Sequence, residues 1–234
     1  IQISDITGVW GVSFLLMMVN LAIKEMIGNR LWVVGRKNKS LFLLSVIILI
    51  LSWGYGYYRL YLQPTTHNLQ PMKISVIQGN IPQELKWNPQ VKDFIIERYL
   101  NLTKEAARDK PALIIWPEAS LPVVLEEEPI FFEKAKDLVK EIKIPLLLGA
   151  VTKEDSIYYN SALLVLPEDK LLKKYHKLHL VPFGEYIPLR RIFRFLETVV
   201  PIGDFTSGKE YTIFTLPAKF SILICFEDIF PELA

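Results

Sequence analysis

The chain holds one cysteine, Cys225, among 234 residues, and a single thiol excludes an internal disulfide framework. It has only three histidines. His176 and His179 would need distant carboxylates to complete a zinc site, so no metal is expected. There is no glycine-rich phosphate loop and no Gly-x-Gly-x-x-Gly, so no nucleotide cofactor is implied. Internal repeats and low-complexity tracts are also missing. Charge of one sign is lacking too, with 27 basic and 25 acidic residues and a net charge of +2. Six basic and two acidic residues precede Met72, which leaves 21 and 23 beyond it. That near-neutral remainder argues against nucleic acid as a partner.

The chain is rich in long apolar runs at its start. Leu41 to Leu62 is nearly uninterrupted, with Arg59 its one formal charge. Its 22 residues are enough to cross about 30 Å of hydrocarbon at ~1.5 Å per residue. Val9 to Ile23 is shorter and charge-free, and reads as a second spanning helix. Between the two lie Lys24, Arg30, Arg36, Lys37 and Lys39 against one acid, Glu25. Short basic loops stay in the cytoplasm. The first helix is therefore expected to run inward and the second outward, with everything after Gln63 outside the cytoplasm. The expected organisation is a membrane part over 1–62, a linker over 63–71 and a catalytic domain over 72–234. The start has no charged leader or cleavage site, and both ends look like cuts through a longer protein.

From Met72 the pattern changes to α/β. Lys73–Gln78, Ala112–Trp116, Pro145–Val151, Tyr158–Leu166, Lys170–Lys177, Tyr211–Leu216 and Phe220–Cys225 read as strands. Gln90–Asp109 and Ile130–Lys143 carry helical apolar stripes. Strand alternating with helix is the grammar of an α/β domain. Ile187 to Ile202 mixes apolar residues with Arg190, Arg191 and Arg194. It reads either as a helix packed on the sheet or as a lid at a lipid interface. Glu126-Glu127-Glu128 reads as a solvated loop.

Three apolar runs each end in a reactive side chain. They are Ile115-Trp116-Pro117-Glu118, Tyr175-His176-Lys177 with Pro182-Phe183-Gly184-Glu185-Tyr186 close behind, and Ile222-Leu223-Ile224-Cys225-Phe226-Glu227. A carboxylate, an ammonium and a thiol are what cysteine acyl transfer needs, because the thiolate is the nucleophile and a base must raise its population. Taken one at a time, each residue has a plainer explanation: a solvated Glu, a strand-end Lys, a small core Cys. Their agreement in order and context outweighs these.

Glu, then Lys, then Cys, each leaving a hydrophobic strand, resembles the nitrilase (carbon–nitrogen hydrolase) superfamily. Read with the spanning helices, the whole chain resembles the apolipoprotein N-acyltransferase family. The resemblance extends to Asp5-Ile6-Thr7-Gly8-Val9-Trp10-Gly11-Val12-Ser13-Phe14 and to Gln78-Gly79-Asn80-Ile81-Pro82-Gln83 with Lys86-Trp87. It implies a nitrilase-like α-β-β-α sandwich, present in part, preceded by two transmembrane helices. It also implies more spanning helices before Ile1 and more of the fold after Ala234. The residue after the nucleophile, often Tyr in that family, is Phe226 here.

The resemblance implies a catalytic triad of Cys225 as nucleophile, Glu118 as general base and Lys177 as oxyanion stabiliser. Glu185 and Glu227 would orient Lys177 and the acceptor amine. Trp87 and Asn160 would line the site, and Arg194 would contact donor or lid. The implied partners are a membrane phospholipid as acyl donor and a diacylglyceryl lipoprotein as acceptor, with no cofactor. The implied location is the bacterial inner membrane, in a multi-pass protein whose catalytic domain lies on the periplasmic face. Two rival readings remain at this point: a membrane-tethered amidase that uses water as acceptor, and a non-catalytic scaffold with a nitrilase shell.

Overall fold

The computed structural model describes residues 2–28, 39–62, 71–168, 170–188 and 205–233. The chain forms two compact units, Ile1–Gln70 with Ile229–Ala234, and Pro71–Asp228.

The first unit is built from the two apolar runs. Helix α1 spans Ser4–Gly28 and is interrupted at Gly8, whose φ of 61° and ψ of −168° are not helical. Glycine tolerates that positive φ at little cost, and the helix resumes at Val9, where the charge-free run begins. Helix α2 spans Lys39–Tyr57 and continues as a wider π turn over Tyr58–Leu62. The one acid in the first turn of α1, Asp5, pairs with Arg59 at 2.8 Å and accepts the Tyr55 hydroxyl at 3.0 Å. These bonds join the start of α1 to the end of α2, so the two helices run antiparallel. Ser4–Lys24 and Phe42–Leu62 are each long and apolar enough to cross a membrane, and only 11% of either window is buried. A helix from a globular core would be mostly covered. Here Trp10, Phe14, Met17, Leu51 and Trp53 stand exposed. The basic residues Arg30, Arg36 and Lys37, and nearly all of the expected linker, lie outside the described residues.

In the second unit the strands are β1 Ile74–Val76, β2 Leu113–Ile115, β3 Leu121–Val124, β4 Leu146–Glu154, β5 Ile157–Leu166 and β6 Lys170–His176. They form one sheet in the order β1-β2-β4-β5-β6, with β3 paired to β4 beyond the end of β2. Pairs β1–β2, β2–β4 and β3–β4 are parallel, while β4–β5 and β5–β6 are antiparallel. Asp155 and Ser156, both at positive φ, make the two-residue turn between β4 and β5, the backbone that suits strand twist in a tight hairpin. Helix α3 (Lys92–Ala107) and helix α4 (Pro129–Ile142) lie on one face. There Ile95, Ile96, Tyr99, Leu138 and Val139 pack against Ile114, Leu146, Leu148 and Leu163. The alternate residues Leu113, Leu147, Ala162 and Leu164 point to the other face, where Phe214 and Ile224 cover them. A small hairpin, β7 Phe214–Thr215 with β8 Lys219–Phe220, begins that second layer.

Two strand expectations are corrected. The strand read over Phe220–Cys225 pairs only at Lys219–Phe220. Ser221–Ile224 runs outside any strand, because the amide of Ile224 is taken by a side chain, the Glu227 carboxylate, at 2.8 Å. Strand β3 was not expected, and its Pro122 lacks a ladder donor. It is tolerated because β3 pairs on one side only. The glutamate run is held by lysines: Glu126 accepts the amide of Lys153 at 2.6 Å, Glu127 its ammonium at 2.6 Å, and Glu128 pairs with Lys92. Among the described residues no cluster of acidic, His or Cys side chains is arranged to hold a metal.

Candidate active site

Glu118 lies in the turn after β2, and the sequence around it explains why the turn forms. Trp116 is buried against the Tyr99 ring (5.1 Å between centroids), and its indole N–H donates to Thr103 Oγ1 at 2.7 Å. Pro117 ends the strand. Ala119 adopts a left-handed φ of 45°, and Ser120 Oγ donates to the carbonyl of Gly149 at 2.9 Å. Gly149 in β4 lies directly beneath. A Cβ there would come within 2.7 Å of Pro117 O, Glu118 Cα and Ala119 N, so only glycine lets the turn seat.

Lys177 follows β6 and is 1% exposed. Its ammonium lies between two carboxylates, 2.9 Å from Glu185 Oε2 and 3.5 Å from Glu118 Oε1. Asn160, on β5, spans the same pair. Its Nδ2 donates to Glu118 at 2.6 Å and to Glu185 at 2.8 Å. Two carboxylates can face only the donor end of an amide, so the orientation of Asn160 is chemically fixed. Its Oδ1 is buried without a partner among the described residues. Glu185 is held in turn by the amide of Val181 at 2.8 Å. Gly208 N donates to the Lys177 carbonyl at 2.8 Å, and a Cβ at Gly208 would strike His176 O at 2.3 Å.

Cys225 is exposed and opens a 3₁₀ turn over Cys225–Ile229 with a φ of 54°. A non-glycine residue at such a φ costs roughly 1–3 kcal/mol and persists only where its surroundings hold it. Glu227 does the holding. Fully buried, it accepts Tyr175 OH at 2.8 Å, Leu178 N at 2.7 Å and His179 N at 3.1 Å on one oxygen, and Ile224 N at 2.8 Å on the other. Burial, reinforced by the Glu227 bond, pushes the Tyr175 phenol well above its ordinary value. Glu227 thus fastens the Cys225 turn to the loop after Lys177, and its four bonds go to backbone amides and a phenol rather than to the Lys177 ammonium.

Glu118, Asn160, Ser161 and Cys225 line one cavity of about 230 Å³, closed by Ile115, Leu147 and Ile222–Ile224. The thiol makes no hydrogen bond to a described residue and shares this space with Glu118, whereas Lys177 is not among the lining residues and reaches the wall through its contact with Glu118. Of the other expected residues, Asn160 and Glu185 belong to the network. Trp87 is half-buried in the turn near Pro82–Asn88 and does not line the cavity. Phe226 is 37% exposed beside Cys225. Arg194 and residues 189–204 lie outside the described residues. Sequence reasoning missed Lys86, whose Nζ donates to the carbonyl of Glu118 at 3.0 Å. Its only signal was its place beside Trp87 in the family's motif.

Residues 73–234 match the family described as carbon–nitrogen hydrolase. Over its full length the chain is 35% identical to an apolipoprotein N-acyltransferase of Geobacter metallireducens, and over 99% of its length it is 29% identical to one of Methylococcus capsulatus. It spans about half of these relatives, 46% and 45% of their lengths. Among solved structures it resembles a carbon–nitrogen hydrolase of Helicobacter pylori (TM-score 0.50, 19% identity, 69% of this chain and 54% of the other). It also resembles an amidase of Nesterenkonia sp. bound to butyramide (TM-score 0.51, 17% identity, 69% and 59%). Those two likenesses are of fold.

Proposed function

The chain belongs to the carbon–nitrogen hydrolase family, and from that premise we propose that it transfers an acyl chain from a membrane phospholipid, through a thioester on Cys225, to the N-terminal amine of a diacylglyceryl-cysteine lipoprotein. The observation that carries this reading is the convergence of Glu118, Asn160 and Cys225 on one cavity, with Lys177 and Glu185 bonded into its wall.

Glu118 Oε1 is engaged by Asn160 and Lys177, which leaves Oε2 to take the thiol proton. The sulfur attacks the donor's ester carbonyl and a C–S bond forms. The carbonyl electron pair moves onto oxygen, where the Lys177 ammonium stabilises it. Collapse breaks the ester C–O bond, and the departing lysolipid alkoxide takes the proton from Glu118. In the second half-reaction the acceptor amine attacks the thioester. A C–N bond forms, C–S breaks, and Glu118 passes the amine proton to the thiolate. The thioester keeps the acyl group activated between the halves, so no cofactor is required.

The apolar helices fit this reading because both substrates are lipids. A site at the bilayer surface avoids extracting acyl chains at about 0.8 kcal/mol per CH₂. The protein is then a multi-pass protein of the bacterial inner membrane with its catalytic domain on the periplasmic face, where the diacylglyceryl acceptor is displayed.

The rival, a membrane-tethered amidase acting on a small amide, differs in substrate and in the second half-reaction, where water replaces the amine. Mass analysis of a diacylglyceryl-cysteine peptide incubated with phospholipid and full-length protein separates the two. A third, amide-linked acyl chain is expected. Recovery of the unmodified peptide together with turnover of small amides would replace the proposal with the amidase.

A further inference from the structure

We infer that Lys86 is a positioning residue for the general base: through its bond to the peptide carbonyl of Glu118 it holds the carboxylate at the angle from which Oε2 meets the thiol. The inference rests on the reading of Glu118 as base and goes beyond it.

The turn that carries Glu118 is tense. Ala119 sits at a left-handed φ, and Gly149 presses from below with no room for a methyl group. Ser120 ties the turn down on one side. On the other, the Lys86 ammonium takes the Glu118 carbonyl at 3.0 Å. Such a backbone needs anchors on both flanks to stay in one conformation.

Lys86 is itself presented by a built element. Leu85 N bonds to Pro82 O at 3.0 Å, Lys86 N to Gln83 O at 3.3 Å and Asn88 N to Leu85 O at 3.0 Å, while Asn88 Oδ1 caps Gln90 N at 3.0 Å. Among the described residues no carboxylate forms an ion pair with Lys86. Its half-buried charge is therefore placed against a carbonyl and towards Glu118. Burial holds the ammonium below its ordinary range, opposed by the Glu118 charge. An unpaired lysine kept half-buried for a single backbone bond is poor as a stability device, since exposure would cost it nothing and a neutral side chain would fill the space. It makes sense where the carbonyl it grips belongs to a residue whose orientation matters.

The test uses full-length protein in phospholipid micelles and measures the rate of Cys225 thioester formation for Lys86→Met, Lys86→Arg, Glu118→Gln and Lys86→Met/Glu118→Gln. Met keeps the stem and removes the donors. Misplacement of a catalytic group by about 1 Å costs on the order of 10²-fold, so Lys86→Met is expected to slow acylation by roughly 10- to 100-fold. KM for the phospholipid and the thermal midpoint should stay unchanged, and Lys86→Arg should recover most of the rate. In the Glu118→Gln background Lys86→Met should add no further loss, because the group it positions is gone. Additive losses, or a wild-type rate for Lys86→Met beside a defective Glu118→Gln, overturn the inference and leave the base assignment standing. A wild-type rate for Glu118→Gln overturns the base assignment itself.

Discussion

Replacing Glu227 by Gln should loosen the nucleophile turn without emptying any space. The carboxylate is fully buried and accepts four hydrogen bonds, three on one oxygen and one on the other. The amide preserves the shape and turns one acceptor into a donor. Its favoured orientation keeps the oxygen at the three-donor end, so the N–H of Ile224 then faces an NH₂ and is orphaned. A buried donor left unsatisfied costs about 1–3 kcal/mol. The three remaining bonds lose their charge, and neutral bonds are roughly half as strong as charge-assisted ones. Relief from no longer burying a charge offsets part of this, giving a net loss of about 2–4 kcal/mol. Urea unfolding followed by tryptophan fluorescence should show a lower midpoint. Because the orphaned amide immediately precedes Cys225, alkylation of the thiol by a maleimide should also accelerate under native conditions. Tyr175→Phe removes one of the four bonds and should fall between the wild type and Glu227→Gln. An unchanged midpoint together with an unchanged alkylation rate would refute the clamp.

Gly149→Ala should cost at least about 1–3 kcal/mol as an overpacked site, and turnover should fall well beyond that loss because the intruding methyl displaces the Glu118 turn; thermal melting and acyl transfer measured side by side check both. His176 is half-buried between Ser161, whose Oγ lies 2.8 Å from Nδ1, and Glu154, 3.4 Å from Nε2. Burial lowers the His176 pKa, with Glu154 opposing and Lys174 adding to the shift. A depressed histidine contributes stability that is complete above its unfolded value of about 6.5 and is lost as pH falls through the folded value. The wild-type thermal midpoint should therefore drop between about pH 7.5 and 5.5, a range above the carboxylate titrations, and His176→Gln should flatten that drop.

The fold class was legible because its signals are local. Helices α3 and α4 follow their apolar stripes to within two residues of expectation, and the hairpin of β5 and β6 follows from two β-rich runs around Pro167-Glu168-Asp169. Strand β3 was hidden by Pro122, whose missing donor matters in a central strand and not where pairing is one-sided. The path of Ser221–Ile224 was hidden because a carboxylate two residues beyond the thiol takes the amide that a strand would use. In the site, residue types and order marked Glu118, Lys177 and Cys225, but pairings did not follow from them. The Lys177–Glu118 contact spans 59 positions and the Asn160–Glu118 bond 42. For Glu227 the resemblance implied an orienting role towards Lys177 or the acceptor amine. Its actual partners are mostly backbone amides, which every residue carries and no motif marks. The contact of Lys86 was hidden for the same reason, since the group it grips is a peptide carbonyl.

The proposed reaction requires covalent chemistry at Cys225. Full-length protein incubated with phospholipid alone, then analysed by intact mass, should carry one acyl adduct that hydroxylamine removes, that is absent in Cys225→Ala, and that disappears when a diacylglyceryl-cysteine peptide is added as the peptide gains the same acyl mass. An adduct that persists in Cys225→Ala, or acyl transfer that proceeds in that variant, would contradict it.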